Sequence, residues 1–206
     1  MKKLFTALMV AMMFVVVPTR AQSLDQLHWN INAGVNVANY LNTPTVVDAK
    51  AKLGAFFGVG VTYDLDTSWF LESGLTVSLK GSSVKGPWEG ELDRISKMKF
   101  NPVYLHIPIH AGYKFHFSNG YNLNLSAGPY MAFGLGGKGK LGGEKASMFS
   151  SNGFDFKRFD MGLGVKAGMD IDIFNVFVGY DYGLIKLDSS FKARNGNFYA
   201  GVGLRF

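Results

Sequence analysis

The 206-residue sequence predicts an all-β fold, an eight-stranded antiparallel up-and-down transmembrane β-barrel, from three observations. Apolar and polar residues alternate with a period of two in eight separate stretches, as in strands whose two faces meet different surroundings. Short and long connections between the stretches also alternate, which describes a meander with turns at one end and loops at the other. The polar positions hold mostly Gly, Asn, Ser, Thr and Tyr with scattered charges, whereas a soluble exterior would be dense in Lys and Glu.

The N-terminus has the three parts of a secretory signal: Lys2 and Lys3, an apolar run from Leu4 to Val17, then Pro18 and a small-x-Ala site. Cleavage is expected after Ala21, leaving 22–206 as one barrel domain. Losing Lys2, Lys3 and Arg20 takes the formal charge from +6 to +3, which removes the main support for a nucleic-acid partner. The sequence has no cysteine, so it forms no disulfide and offers no thiol for lipid attachment, which excludes a lipoprotein. After the first twenty residues no apolar run approaches the roughly 20 residues of a membrane-spanning helix, so any span must use strands.

In the first stretch Leu27, Trp29, Ile31, Ala33, Val35 and Val37 alternate with His28, Asn30, Asn32, Gly34 and Asn36. The second sets Leu53, Ala55, Phe57, Val59, Val61 and Tyr63 against Gly54, Phe56, Gly58, Gly60 and Thr62, and the third sets Trp69, Leu71, Leu75, Val77 and Leu79 against Glu72, Gly74, Thr76, Ser78 and Lys80. The fourth, "VYLHIPIHAGYKF", divides Val103, Leu105, Ile107, Ile109, Tyr113 and Phe115 from His106, Pro108, His110, Gly112 and Lys114. "YNLNLSAGPYMAF", "RFDMGLGVKAGMDI", "NVFVGYDYGL" and the terminal "NFYAGVGLRF" complete the eight. Pro108 and Pro129 each lack a ladder donor, which predicts a bulge near each. Short links are expected at Asp64 to Ser68, His116 to Gly120 and Asp172 to Asn175. Long ones are expected at Leu41 to Ala51, Gly81 to Met98, Gly136 to Lys157 and Asp188 to Gly196.

Two closed barrels fit this pattern, a soluble lipocalin-like one with an apolar interior and a membrane one with an apolar exterior. The composition of the polar face favours the second. Its interior would then carry Glu72, Asp160, Asp170 and Asp181 against Lys80, Lys114, Lys166 and Arg205, a balanced set expected to pair as a lumen polar network because unpaired buried charge is costly. Eight strands leave an interior just wide enough for side chains to fill, so a plugged lumen is expected, with glycines giving Tyr104, Tyr130 and Tyr199 room to lie across it. Trp29, Tyr40, Tyr63, Trp69, Tyr113, Phe115 and Tyr121 sit at strand ends, where aromatic rings suit the headgroup zone.

The stretches "YLHIPIHAGYKF", "LSAGPYMAF", "FDMGLGVKAGMDI", "VGYDYGLIKL" and "GVGLRF", in this order, resemble the outer-membrane β-barrel family of Bacteroidetes-type bacteria often labelled PorT-like. That resemblance implies export to the cell outer membrane and insertion by the barrel assembly machinery. Gly201, Leu204 and the final Phe206 resemble the C-terminal insertion signal of bacterial barrels, with Leu204 standing where an aromatic is common.

Little in the sequence suggests reaction chemistry. "GLGGKGKLGG" contains a nominal G-x-G-x-x-G at Gly134, Gly136 and Gly139, but Leu141 stands where a P-loop needs Ser or Thr and no amphipathic helix follows, so a flexible surface loop is expected. His106 and His110 are about 13 Å apart along a strand, too far to share a metal. Loop serines have no histidine near them to act as base, so no catalytic residue, metal or cofactor is assigned. The long loops carry a slight Lys excess that suits lipopolysaccharide phosphates, while Trp88, Met148 and Phe149 are apolar contact candidates in otherwise polar loops.

The function expected from these features is a non-enzymatic integral outer-membrane barrel with a structural or interaction role through its long extracellular loops. Its expected partners are outer-membrane lipid and lipopolysaccharide, the assembly machinery during insertion, and an envelope or secretion protein. The alternatives are a narrow diffusion channel and, from the PorT label, a component of the type IX secretion system.

Overall fold

A computed structural model describes residues 26–41, 48–85, 97–117, 120–141, 144–149, 157–185 and 194–206. The expected signal at 1–21 and Trp88 lie outside the described residues. Ten strands are present among those described: β1 (Leu27–Leu41), β2 (Asp48–Asp64), β3 (Trp69–Leu79), β4 (Gly81–Lys85), β5 (Lys97–His116), β6 (Tyr121–Leu141), β7 (Glu144–Ser147), β8 (Phe159–Ile171), β9 (Phe174–Gly183) and β10 (Arg194–Arg205). β4 continues β3 past Lys80 and pairs with the same neighbours, β2 and β5, so the two make one stave. β7 adds to the far end of β6. Eight staves remain, each antiparallel to its neighbours.

The ring closes where β1 meets β10, from Asn30 opposite Arg205 to Leu41 opposite Arg194. Beyond that register Trp29 and Phe206 exchange both backbone bonds, Trp29 N to Phe206 O at 3.0 Å and Phe206 N to Trp29 O at 2.8 Å. The last residue is therefore paired, and among the described residues the ring has no open seam toward hydrocarbon, where an unsatisfied backbone group costs several kcal/mol.

The three short links are tight turns at one end. In the β2–β3 turn Asp66 Oδ1 accepts from the backbone N–H groups of Ser68 and Trp69, both at 2.7 Å, an Asx turn that reverses the chain. Those two donors hold the Asp66 carboxyl below the usual carboxylate range. Gly120 in the β5–β6 turn takes φ 79° and Asp172 in the β8–β9 turn φ 55°, the left-handed region that Gly enters freely and Asp tolerates.

Two sequence expectations are corrected. Neither proline makes a bulge. The β3–β5 ladder stops between Ser73 opposite Ile109 and Thr76 opposite His106, then resumes in the same register, and Ser73 Oγ bonds the Pro108 carbonyl at 2.8 Å. Pro129 lies opposite Leu163 with no shift along β6–β8. A missing N–H interrupts a ladder without requiring an extra residue. The register shift occurs instead at Val103/Tyr104, opposite Gly134 and Gly136. The second correction is that Gly134 to Leu141, read as a loop, is strand in β6 and pairs with β5, β7 or both. Hydrophobic alternation ends with the apolar environment, but backbone pairing continues beyond it, so period-two reading places these strand ends too early.

Burial is inverted relative to a soluble protein. Trp29, Leu53, Phe57, Leu163 and Val202 are each more than half exposed, while Lys80, Lys114, His110, Asp160, Asp170 and Asp181 are buried. This removes the lipocalin-like alternative, whose apolar residues would point inward. β3 alone, eleven residues at about 3.3 Å each and tilted by about 40°, spans roughly 25 Å, the height of the apolar band of an outer-membrane barrel. At the turn end Trp69 meets Tyr113 edge to face at 5.1 Å, and Tyr113 meets Phe115 at 4.8 Å, forming part of an aromatic girdle.

The polar lumen as candidate functional site

Inward positions alternate with outward ones on every stave, so the lumen side chains are assigned by parity. At the turn end Asp64 of β2 holds two cations: Lys114 Nζ at 2.5 Å and Arg205 at 3.2 Å. Arg205 also reaches Asp170 at 3.1 Å, and Asn175 donates to the other oxygen of that carboxylate at 2.5 Å. His28 Nε2 lies 3.3 Å from Asp64. Asp64 was read from the sequence as the start of a turn, yet it is the hub of this cluster. Its parity with Thr62 on the inward face is the signal that places it there.

Further along, Glu72 pairs with Lys166, accepts from Ser126 Oγ at 2.6 Å and lies 3.4 Å from His110 Nδ1. Ser126, Glu72 and His110 do not form a hydrolytic triad, because the carboxylate stands between hydroxyl and imidazole and leaves no base on the serine. Beside them Phe56, Phe177 and Tyr199 form a ring cluster with centroids 6.1 to 6.3 Å apart. Small residues make it fit: a Cβ on Gly34 would stand 2.6 Å from the Phe56 ring, and one on Gly179 would stand 2.3 Å from that of Tyr199. Tyr130 lies similarly over Gly162, at 2.6 Å.

At the loop end Asp181 faces His106 Nε2 at 3.3 Å and accepts from Asn197 at 3.3 Å. Asp160 accepts from Asn195 at 2.8 Å and Tyr130 at 3.3 Å. Lys80 Nζ is buried without a hydrogen-bond acceptor among the described residues and sits over the Tyr104 and Tyr130 rings at 5.6 and 5.5 Å, a cation–π arrangement. Of the eight network residues read from the sequence, Lys166 joins Glu72 and Arg205 joins Asp170, while Lys114 joins Asp64. Asp160, Asp181 and Lys80 find neutral or histidine partners.

Met148 and Phe149 do not offer an outward contact. Met148 is fully buried, and Phe149 is half buried, edge-on to Tyr104 at 6.0 Å and beneath Arg158 at 5.2 Å. Phe149 finds its shelter on the inward-facing Tyr104. Gly201 sits under the Phe56 and Phe177 rings, while Leu204 and Phe206 face outward. A cavity of about 120 Å³ remains in the lumen between Glu72, His110, Asp181 and Tyr199. No group of three or more His, Cys, Asp or Glu among the described residues has the arrangement of a metal site.

A closed ring of eight strands, apolar outside and polar within, defines a transmembrane β-barrel. Residues 20–189 match the outer membrane protein β-barrel domain family, and the chain belongs to it, which places the protein in the outer membrane. Similar solved structures include OprG of Pseudomonas aeruginosa, with TM-score 0.51 at 13% identity over 87% of this chain and 95% of that one. They also include the neisserial surface protein NspA, TM-score 0.47 at 16% identity over 86% and 97%, and Ail of Yersinia pestis, TM-score 0.43 at 17% identity over 88% and 99%. No curated protein matches the chain in sequence.

Proposed function

We propose that this protein is a non-enzymatic outer-membrane barrel with a closed lumen, a rigid support through which the extracellular segments meet their partners. The observation that carries this reading is the crossing of the lumen by paired charges and by the Phe56, Phe177 and Tyr199 rings, with about 120 Å³ left between them. Glu72 and Lys166, from the well-separated staves β3 and β8, must part before an ion passes, and separating a buried pair costs about 3–5 kcal/mol. The purified protein in planar lipid bilayers is expected to give no unitary current steps. Reproducible steps would replace this reading with a narrow diffusion channel.

The Gly201, Leu204 and Phe206 ending supports recognition by the barrel assembly machinery. Membership of the PorT-like subgroup, and with it a place in the type IX secretion system, rests on the five resembling stretches alone; normal cargo secretion after deletion of the gene would remove it.

A further inference from the structure

Gly164 lies on the inward face of β8, opposite Asp181 of β9. A Cβ built on it would stand 2.9 Å from Asp181 Oδ1 and 2.9 Å from His110 Nε2. The two atoms therefore flank one point and are at most about 5.8 Å apart, a span that one water crosses with two hydrogen bonds of ordinary length. Neither atom has a hydrogen-bond partner among the described residues, although His110 and Asp181 are each only 2% exposed. Buried polar atoms in folded proteins are almost always partnered. Here the missing partner must be a donor. Glu72 lies 3.4 Å from His110 Nδ1, and its carboxylate draws the ring proton to that nitrogen, which leaves Nε2 of the neutral ring an acceptor. Asp181 turns Oδ2 to Asn197 and His106, so Oδ1 is also an acceptor left over. The gap between them belongs to the lumen cavity of about 120 Å³, which both residues line, and about 10–15 Å³ of such space holds a water.

We propose that this gap is a binding site for one water molecule, which donates one hydrogen to His110 Nε2 and the other to Asp181 Oδ1. The water joins two clusters that the side chains alone leave separate. On one side Lys166 and Ser126 reach Glu72, and Glu72 reaches His110. On the other Asp181 takes up His106 and Asn197. Bridged, the chain of polar contacts runs through the lumen across β3, β5, β6, β8, β9 and β10, and the missing side chain at Gly164 is what makes room for it. A monovalent cation suits the gap less well than water, because the Lys80 ammonium lines the same cavity. The site depends on a closed lumen, since an open one would hold bulk water; unitary currents test that reading, and the spectra below test the site.

The test is NMR of the full-length protein with isotope-labelled histidine, folded in detergent micelles and observed above about pH 8, where histidine is ordinarily neutral. The site predicts an unprotonated His110 Nε2 and cross-relaxation between water and the His110 Cε1–H. Gly164→Ala places a methyl group in the gap and should abolish the water contact. Gly136→Ala, where an added Cβ meets nothing, should keep it. Heat-modifiable mobility on denaturing gels reports whether each variant is folded. If Gly164→Ala does not fold, the wild-type water contact and the state of Nε2 decide the site without it. A folded wild type with no water contact at His110, a protonated Nε2, or a contact that survives in folded Gly164→Ala overturns the site. A His110 signal that moves when sodium chloride is exchanged for potassium chloride assigns the gap to a cation and overturns the choice of water.

Discussion

At the residue scale the lumen turns on carboxylates that each serve several donors. Glu72 is the clearest case: Lys166, Ser126 and His110 come to it from three other staves, and nothing else described could neutralise Lys166. Glu72→Ala is expected to destabilise the barrel by about 3–5 kcal/mol in urea titrations of vesicle-inserted protein, because it strands a largely buried ammonium. Adding Lys166→Met should restore part of that loss, since the unpaired charge leaves with it. A double mutant as unstable as the sum of the two single changes would mean that the pair does not act as a pair. Asp64 could have been found from the sequence, because inward parity from Thr62 reaches it. It was missed because the same residue also opens a turn, and turn chemistry is the stronger local signal.

At the element scale the eight staves and their short turns were legible because one face of each strand meets lipid and the other meets polar groups. Where that contrast ends, so does the pattern: Lys97 to Pro102 and Gly134 to Leu141 are strand without apolar alternation, and only backbone pairing reveals them. The partner of Phe149 was likewise illegible, since its contact with Tyr104 is a property of the folded sheet and not of either segment. Turn chemistry, in contrast, is local. The Asp66 carboxylate is favoured by the Ser68 and Trp69 N–H groups in the folded state, so its contribution is present above the usual carboxylate pKa and is lost as pH falls through the lower folded value. The stability difference between wild type and Asp66→Asn should therefore be constant near neutrality and shrink in acid. A difference that grows on acidification would contradict the turn's role.

At the scale of the whole molecule, closure makes the two ends of the chain interdependent: β10 has no function as an edge and β1 none without it. The same closure separates a lipid-facing wall from a lumen that its own side chains fill. Because the sequence contains no cysteine, single cysteines can be placed freely along a stave. The most direct test of the account is site-by-site spin labelling of Leu75, Thr76, Val77, Ser78 and Leu79 in β3, in lipid vesicles. Accessibility to lipid-soluble oxygen and to a water-soluble nickel chelate is then compared at each site. The account predicts a period of two, with Leu75, Val77 and Leu79 open to oxygen and Thr76 and Ser78 shielded from both reagents. Reversed alternation would contradict the inverted barrel, and free access of the nickel chelate to Thr76 and Ser78 would contradict the closed lumen.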